Sequence, residues 1–285
     1  MLDDGALIGT RKADFSEIYV QPDPRAYYAT LRPLDYRIPQ LATPVVEAVV
    51  AAARPAAVLD LCCSYGINAA LLRHDVGWER VAEHYARLDD LPTPTLATVD
   101  EAFYSARRRR PAPRVVGLDA SAPAIAYAVR TGLLAAGWAE DLEQDEPSPQ
   151  LTAGLHDVGL VISTGGIGYV GERTIERILR VLPRPEELWL AVFVLRVFDY
   201  GPIAATLERH GLVTEKLPGT FRQRRFADRE ERDAAIHDVE LRGLDPAGQE
   251  ADGWYHAECF LTRPAAEAAR MPAAELLAAA FTDPR

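Results

Sequence analysis

Along this chain, short apolar runs that end in an acid alternate with amphipathic stretches of helical spacing. The clearest unit is AVLDLCCSYGINAALL, residues 57–72. Val58, Leu59 and Leu61 predict a buried strand with Asp60 at its carboxyl end, Ser64, Tyr65 and Gly66 are turn residues, and Asn68 to Leu72 resume with helix formers. A strand, a Gly/Ser turn and a helix start make a nucleotide cradle, because free backbone N–H groups and the helix dipole face whatever sits over the strand end. RVVGLDASAPAIAYAVRTGLLAAG, 114–137, repeats the unit with Asp119 at the strand tip and Ala120, Ser121, Ala122 and Pro123 opening a helix. Asp119 either accepts hydrogen bonds from ribose hydroxyls or caps its own helix. WAEDLEQDE, 138–146, predicts a polar edge strand and loop in which Asp141 and Leu142 offer a carboxylate and a backbone N–H to an adenine. HDVGLVISTGGIGYVG, 156–171, runs as a strand into Ser163, Thr164, Gly165 and Gly166, where two glycines allow close backbone approach. A helix, the strand ELWLAVFVLR, and a helix ending on Gly211 follow. LVTEKLPGTFRQRRF and WYHAECFLTR then read as a final strand pair, and 265–281 as one closing helix.

Two stretches stand outside this alternation. From Phe15 to Gln40, Tyr19, Tyr27, Tyr28 and Tyr36 are interleaved with Arg25, Arg32, Arg37 and four prolines, which predicts short helical pieces forming either a cap over the site or a brace on the main domain. Residues 74–113 separate the first two β–α units and predict two helices of their own. They end in Arg107 to Arg110, either a handle for an anion or a solvated helix terminus. A helix is expected over Pro44 to Ala53 with Thr43 as its N-cap. The domain reading is a cap over 1–43, a Rossmann-like body over 44–264 with an insertion at 74–113, and a C-terminal helix over 265–285.

With 285 residues the chain can bury a full core. A net charge of −11 argues against sequence-independent binding to nucleic acid, which needs a basic face, and favours a small ligand. Three cysteines, two of them the adjacent Cys62 and Cys63, give neither a disulfide framework nor zinc spacing, so no metal is expected and small buried packing is the better reading of the pair. No apolar run reaches the roughly 20 residues of a membrane span, and the opening residues lack a signal-peptide core, so the expectation is a soluble, cytoplasmic protein. Whether two chains form a homodimer is left open.

The order LDLCCSYG, GLDAS, AEDL, DVGLVISTGG resembles the class I S-adenosylmethionine-dependent methyltransferases over about 44–264. That resemblance implies an α/β, seven-stranded, mostly parallel sheet with an antiparallel last strand, and S-adenosylmethionine as cofactor. Carried over by position, Asp60 steadies the methionine amino group with the loop of Cys62, Ser64, Gly66 and Asn68. Asp119 holds the ribose, Ala120 lies beside the adenine, Asp141 and Leu142 touch its edge, and Ser163 and Thr164 lie near the methionine chain and acceptor. The family pattern is Gly-x-Gly-x-Gly where this chain has Cys62, Ser64 and Gly66, a change that puts a side chain where backbone usually approaches cofactor. Methyl transfer from a sulfonium needs mainly alignment and removal of a proton. Tyr36 and Tyr169 are candidates to orient the acceptor, His256 or His74 to take its proton, and Tyr19, Tyr27, Arg25 and Arg32 to hold it. The leading expectation is methylation of a small-molecule acceptor. A non-catalytic descendant that binds the same ligand is the alternative, and a nicotinamide dehydrogenase ranks last because the G-x-G-x-x-G spacing is missing.

Overall fold

A computed structural model describes residues 15–278. Eight strands form one sheet in the order β3-β2-β1-β4-β5-β8-β6, with β7 pairing with β8. Strands β1 (Ala57–Leu61), β2 (Val115–Asp119), β3 (Gly137–Ala139), β4 (Val158–Thr164) and β5 (Trp189–Leu195) are parallel. The parallel strands read as near-continuous apolar runs because both of their faces are covered. Alternation divides them: Val58, Val115, Leu160, Ile162, Ala191 and Phe193 join the core layer shared with the N-terminal rings. Leu59, Leu61, Val116, Val161, Leu190 and Val192 join the other.

The expected Rossmann-like sheet is present with one strand more than the seven implied. LVTEKLPGTFRQRRF breaks into β6 (Leu212–Lys216) and β7 (Phe221–Arg225), and both pair antiparallel with the long β8 (Trp254–Pro264). The break falls at Pro218 and Gly219: Gly219 has φ 80°, a left-handed conformation that a continuous strand does not contain. Between β7 and β8 lies a helix, Arg229–Leu241, capped by Asp228, whose carboxylate accepts from Glu231 N at 2.8 Å.

The N-terminal segment forms α1 (Ser16–Tyr19), α2 (Arg25–Leu31) and α3 (Ile38–Ala53), the last packed on the sheet beside the helix after β1. The third starts six residues before the expected Pro44, because Ile38, Ala42, Val45, Val46 and Val49 form one buried helical stripe. Thr43 is therefore interior and not an N-cap; its hydroxyl donates to Pro39 O at 2.8 Å, and the cap boundary expected at residue 43 falls inside this helix. After β1 comes α4 (Ile67–Arg73), and the 74–113 stretch folds as α5 (Trp78–Ala86) and α6 (Thr93–Ser105). The arginine run closes α6: Arg107 Nη1 donates to Phe103 O at 2.7 Å, and Arg109 pairs with Glu47. Behind β2 runs α7 (Ala122–Arg130). The closing helix is two short ones, Ala265–Arg270 and Ala273–Leu276, broken at Pro272, which cannot donate to the preceding turn. The remainder of the expected 265–281 helix, and residues 1–14, lie outside the described residues.

Candidate functional site

A cavity of about 430 Å³ lies between the carboxyl ends of β1, β2 and β4 on one side and the N-terminal helices on the other. Its floor is the loop after β1. Cys62 (φ 58°), Ser64 (φ 48°) and Gly66 (φ 77°) all take left-handed backbone, so every second residue adopts the conformation natural to glycine. For Cys62 and Ser64 this costs roughly 1–2 kcal/mol each. Three hydrogen bonds impose it: Cys62 N donates to Leu118 O at 2.8 Å, Ser64 N to Asp119 Oδ2 at 2.8 Å, and Gly66 N to Cys63 O at 2.9 Å. The Cys62 side chain lies against Gly166, where an added Cβ would stand 2.8 Å from its Cβ and 2.9 Å from its Sγ. Cys62 lines the cavity without closing it.

Asp60 is fully buried behind the wall. Its Oδ1 accepts from Asn68 Nδ2 at 2.8 Å, and Asn68 Oδ1 accepts from Thr164 Oγ1 at 3.1 Å; Asn68 and Thr164 face the cavity in its place. Burial pushes the Asp60 carboxyl up to about 7, against the pull of the Asn68 hydrogen bond. Asp119 accepts from Ser64 N and from Ser121 N at 2.9 Å, so it ties the two strand-end loops together. Burial raises its pKa, opposed by those two N–H groups, and an ionised carboxylate with two acceptor positions filled still has lone pairs for a ligand. Asp60 and Asp119 thus sit on neighbouring strands, with Asp60 opposite Gly117 in register. Ala120, Asp141 and Leu142 also line the cavity, with Glu140 beside them. Ser163 is fully buried and outside the lining. Gly66 is outside it too: a Cβ there would meet Ala128 at 3.2 Å and Leu133 at 3.3 Å, so this glycine serves the packing of α4 on α7, not direct contact with a ligand.

The opposite wall is aromatic. Phe15, Tyr19, Tyr27, Leu31, Tyr36 and Pro39 line it, and Tyr27 meets Tyr19 and Tyr36 edge-on with ring centroids 5.7 and 6.2 Å away. Burial pushes the Tyr36 phenol up to about 12, so at neutral pH it is protonated, a hydrogen-bond donor and not a base. Tyr169, 60 % exposed, stands at the rim. Two expected acceptor contacts fall elsewhere. Arg32 pairs with Glu79, and Arg25 is chelated by Asp23 and donates to the carbonyls of Leu88, Asp89 and Leu91, so both brace the cap against α5 and the turn after it. His256 is also misplaced for catalysis: its Nδ1 bonds Thr220 Oγ1 at 2.8 Å, it lies outside the lining, and burial holds its pKa down at about 4. His74 is buried against Ala70 O and is likewise lowered to about 4. The wall also contains residues the sequence did not single out, Gln223 and Arg224 of β7. Alternation along FRQRRF would send such neighbours to opposite faces, but a register shift between Arg222 and Arg225 lets both reach the cavity. Among the described residues no group of three or more His, Cys, Asp or Glu side chains could hold a metal.

No protein-family model matches the chain, and no curated protein matches it. Solved structures do. The chain is similar to a TehB-like SAM-dependent methyltransferase from Corynebacterium glutamicum at 16 % identity, covering 85 % of this chain and 100 % of that one, with a TM-score of 0.41. The plantazolicin methyltransferase BamL matches at 11 % identity, covering 87 % and 94 %, TM-score 0.42. Magnesium protoporphyrin IX methyltransferase from Synechocystis matches at 13 %, covering 80 % and 81 %, TM-score 0.38. Likenesses this distant bring no chemistry with them.

Proposed function

We propose that this chain is an S-adenosylmethionine-dependent methyltransferase acting on a small-molecule acceptor, with the nucleoside over the ends of β1 and β2 and the acceptor under the aromatic wall. The observation that carries the reading is that two residues lining one cavity keep buried polar atoms without partners, Ser64 Oγ and Gln223 Oε1, with Asp60 Oδ2 unpaired just behind the wall. Buried polar groups in folded proteins are nearly always paired, and several orphans around one space mark the outline of a ligand. The polar groups at the strand ends fit this cofactor. Asp60, through Asn68 and Thr164, suits an ammonium; Asp119 suits vicinal hydroxyls; Asp141 and the backbone of Leu142 suit an adenine edge.

The cofactor, when bound, supplies a methyl group on a sulfonium. The chain's part is to bind, align and exclude water. Asp119, Glu140 and Asp141 put negative charge at the nucleoside half, which favours a cationic ligand. Tyr36 and Tyr169 orient the acceptor by hydrogen bonding, and the rings of Phe15, Tyr19 and Tyr27 keep water away. Calorimetric titration of S-adenosylhomocysteine into protein freed of endogenous ligand tests this. Saturable micromolar binding that NADH does not displace is expected, and no binding at millimolar ligand would end the reading.

A further inference from the structure

The acceptor half of the cavity has an unusual charge balance. Among the described residues its one cation, Arg224, is buried and already neutralised: Nη2 and Nη1 donate to Glu231 Oε1 at 2.6 Å and Oε2 at 2.9 Å, and the guanidinium carbon stands 5.0 Å from the Phe15 ring and 4.9 Å from the Tyr255 ring. No lysine or histidine among the described residues lines the cavity, and the acids that line it, Asp119, Glu140 and Asp141, belong to the nucleoside half. Among the described residues of this half a carboxylate acceptor finds no free cation, and an ammonium no free acid. What the wall offers is ring surface and one amide.

That amide is built in. Gln223 is 4 % exposed, lines the cavity, and its Oε1 has no hydrogen-bond partner. Its backbone is pinned by Arg37 N, which donates to Gln223 O at 2.7 Å, and the β7 irregularity holds its side chain inward. Room is kept for it opposite: a Cβ on Gly165 would collide with Gln223 Nε2. Gly165 follows Thr164 at the end of β4, so the amide sits beside the junction between the two halves. A buried amide oxygen left unpaired is costly, and a donor placed in the cavity removes that cost.

We propose that Gln223 is the specificity-determining residue of the acceptor site, and that the acceptor is an uncharged ring compound presenting an O–H or N–H donor to Gln223 Oε1. This rests on the reading of the cavity as a methyltransferase site only in naming the bound molecule an acceptor. Binding is measured by calorimetry on the whole chain saturated with S-adenosylhomocysteine, using 2-naphthol, its methyl ether, 2-naphthoate and 2-naphthylmethylamine. The naphthol should bind about five- to tenfold tighter than the ether, the size of one neutral hydrogen bond, with both charged probes weaker than either. Gln223→Met should bring the naphthol-to-ether ratio to about one while leaving the affinity for S-adenosylhomocysteine and the melting temperature in place, and Gln223→Glu, which keeps the acceptor oxygen, should retain the preference. An unchanged ratio in Gln223→Met, loss of the preference in Gln223→Glu, a charged probe that binds best, or no probe binding at millimolar concentration overturns the proposal. Failure of S-adenosylhomocysteine to bind while the naphthol preference holds in the ligand-free protein would overturn the methyltransferase reading instead.

Discussion

The two halves of the cavity are made in opposite ways. The half over the ends of β1 and β2, where we place the nucleoside, is local: tight turns at adjacent parallel strand ends, held by backbone N–H groups that converge on Asp119. The aromatic half is assembled from distant segments, with α1, α2 and the turn before α3 meeting β7. Open α/β sheets bind ligands at strand ends because the topology leaves free N–H groups there, whatever the loop sequence. A wall of side chains from remote segments carries no such constraint, so it is the half free to vary with what binds there.

The largest expected effect tests the rigidity of the first half. Asp119→Ala strands the amides of Ser64 and Ser121 and removes the charge beside the cavity, so affinity for S-adenosylhomocysteine should fall about 100-fold, in line with charged hydrogen bonds of about 1.5–3 kcal/mol each. Calorimetry reads this; a loss under tenfold would mean that Asp119 merely staples the loops. Next, Gly166→Ala would push a methyl to within 2.5 Å of Ser163 Oγ and 2.8 Å of Cys62 Cβ, for a destabilisation of about 1–3 kcal/mol in urea unfolding. Pairing it with Cys62→Gly should recover part of that, since the second change removes the Cys62 contacts while Ser163 Oγ stays.

Proton linkage gives a third test. Asp60 is raised from 3.8 to about 7 in the folded chain, so folding favours its protonated form. Its contribution to stability is full below pH 4 and is lost as pH rises towards 7. In thermal melts of the ligand-free protein, Asp60→Asn should therefore be level with or below the parent at pH 5 and above it at pH 8. Binding of a cationic ligand should instead tighten in the parent as pH rises through 7. The smallest effect concerns the second half. Tyr65 OH bonds the carbonyls of Ile18 and Gln21 at 3.0 and 2.9 Å, tying the cap to the nucleoside loop. Tyr65→Phe should cost about 1 kcal/mol and raise amide exchange over 15–24 with little change in cofactor affinity. Equal exchange in both proteins would show that the ring packing alone holds the cap.

The same division governs what the sequence reveals. Asp60 and Asp119 are legible because an apolar run that stops at an acid and a turn is one contiguous signal, and the edge strand at 137–139 with Asp141 and Leu142 beyond it is read likewise. Arg32 and His256 were misjudged because a charged or imidazole side chain has the same letter whether it faces a cavity or a neighbour, and Glu79 and Thr220 decide the matter from other segments. Gln223 was invisible because a strand irregularity, which leaves no composition signal, sets its direction. Pro218 and Gly219 did announce the extra strand, yet a Pro-Gly pair inside a polar, β-branched run reads as easily as a bend within one element.

The contact of Cys62 with Gly166 has a historical side. The thiol at position 62 closes one side of position 166 and the Ser163 hydroxyl the other, so the smallest residue is compulsory at 166 as long as Cys62 stays. Substitutions at the two sites therefore have a permitted order: 62 must shrink before 166 can grow. In a library randomised at both positions, survivors should lack the combination of a side chain at each.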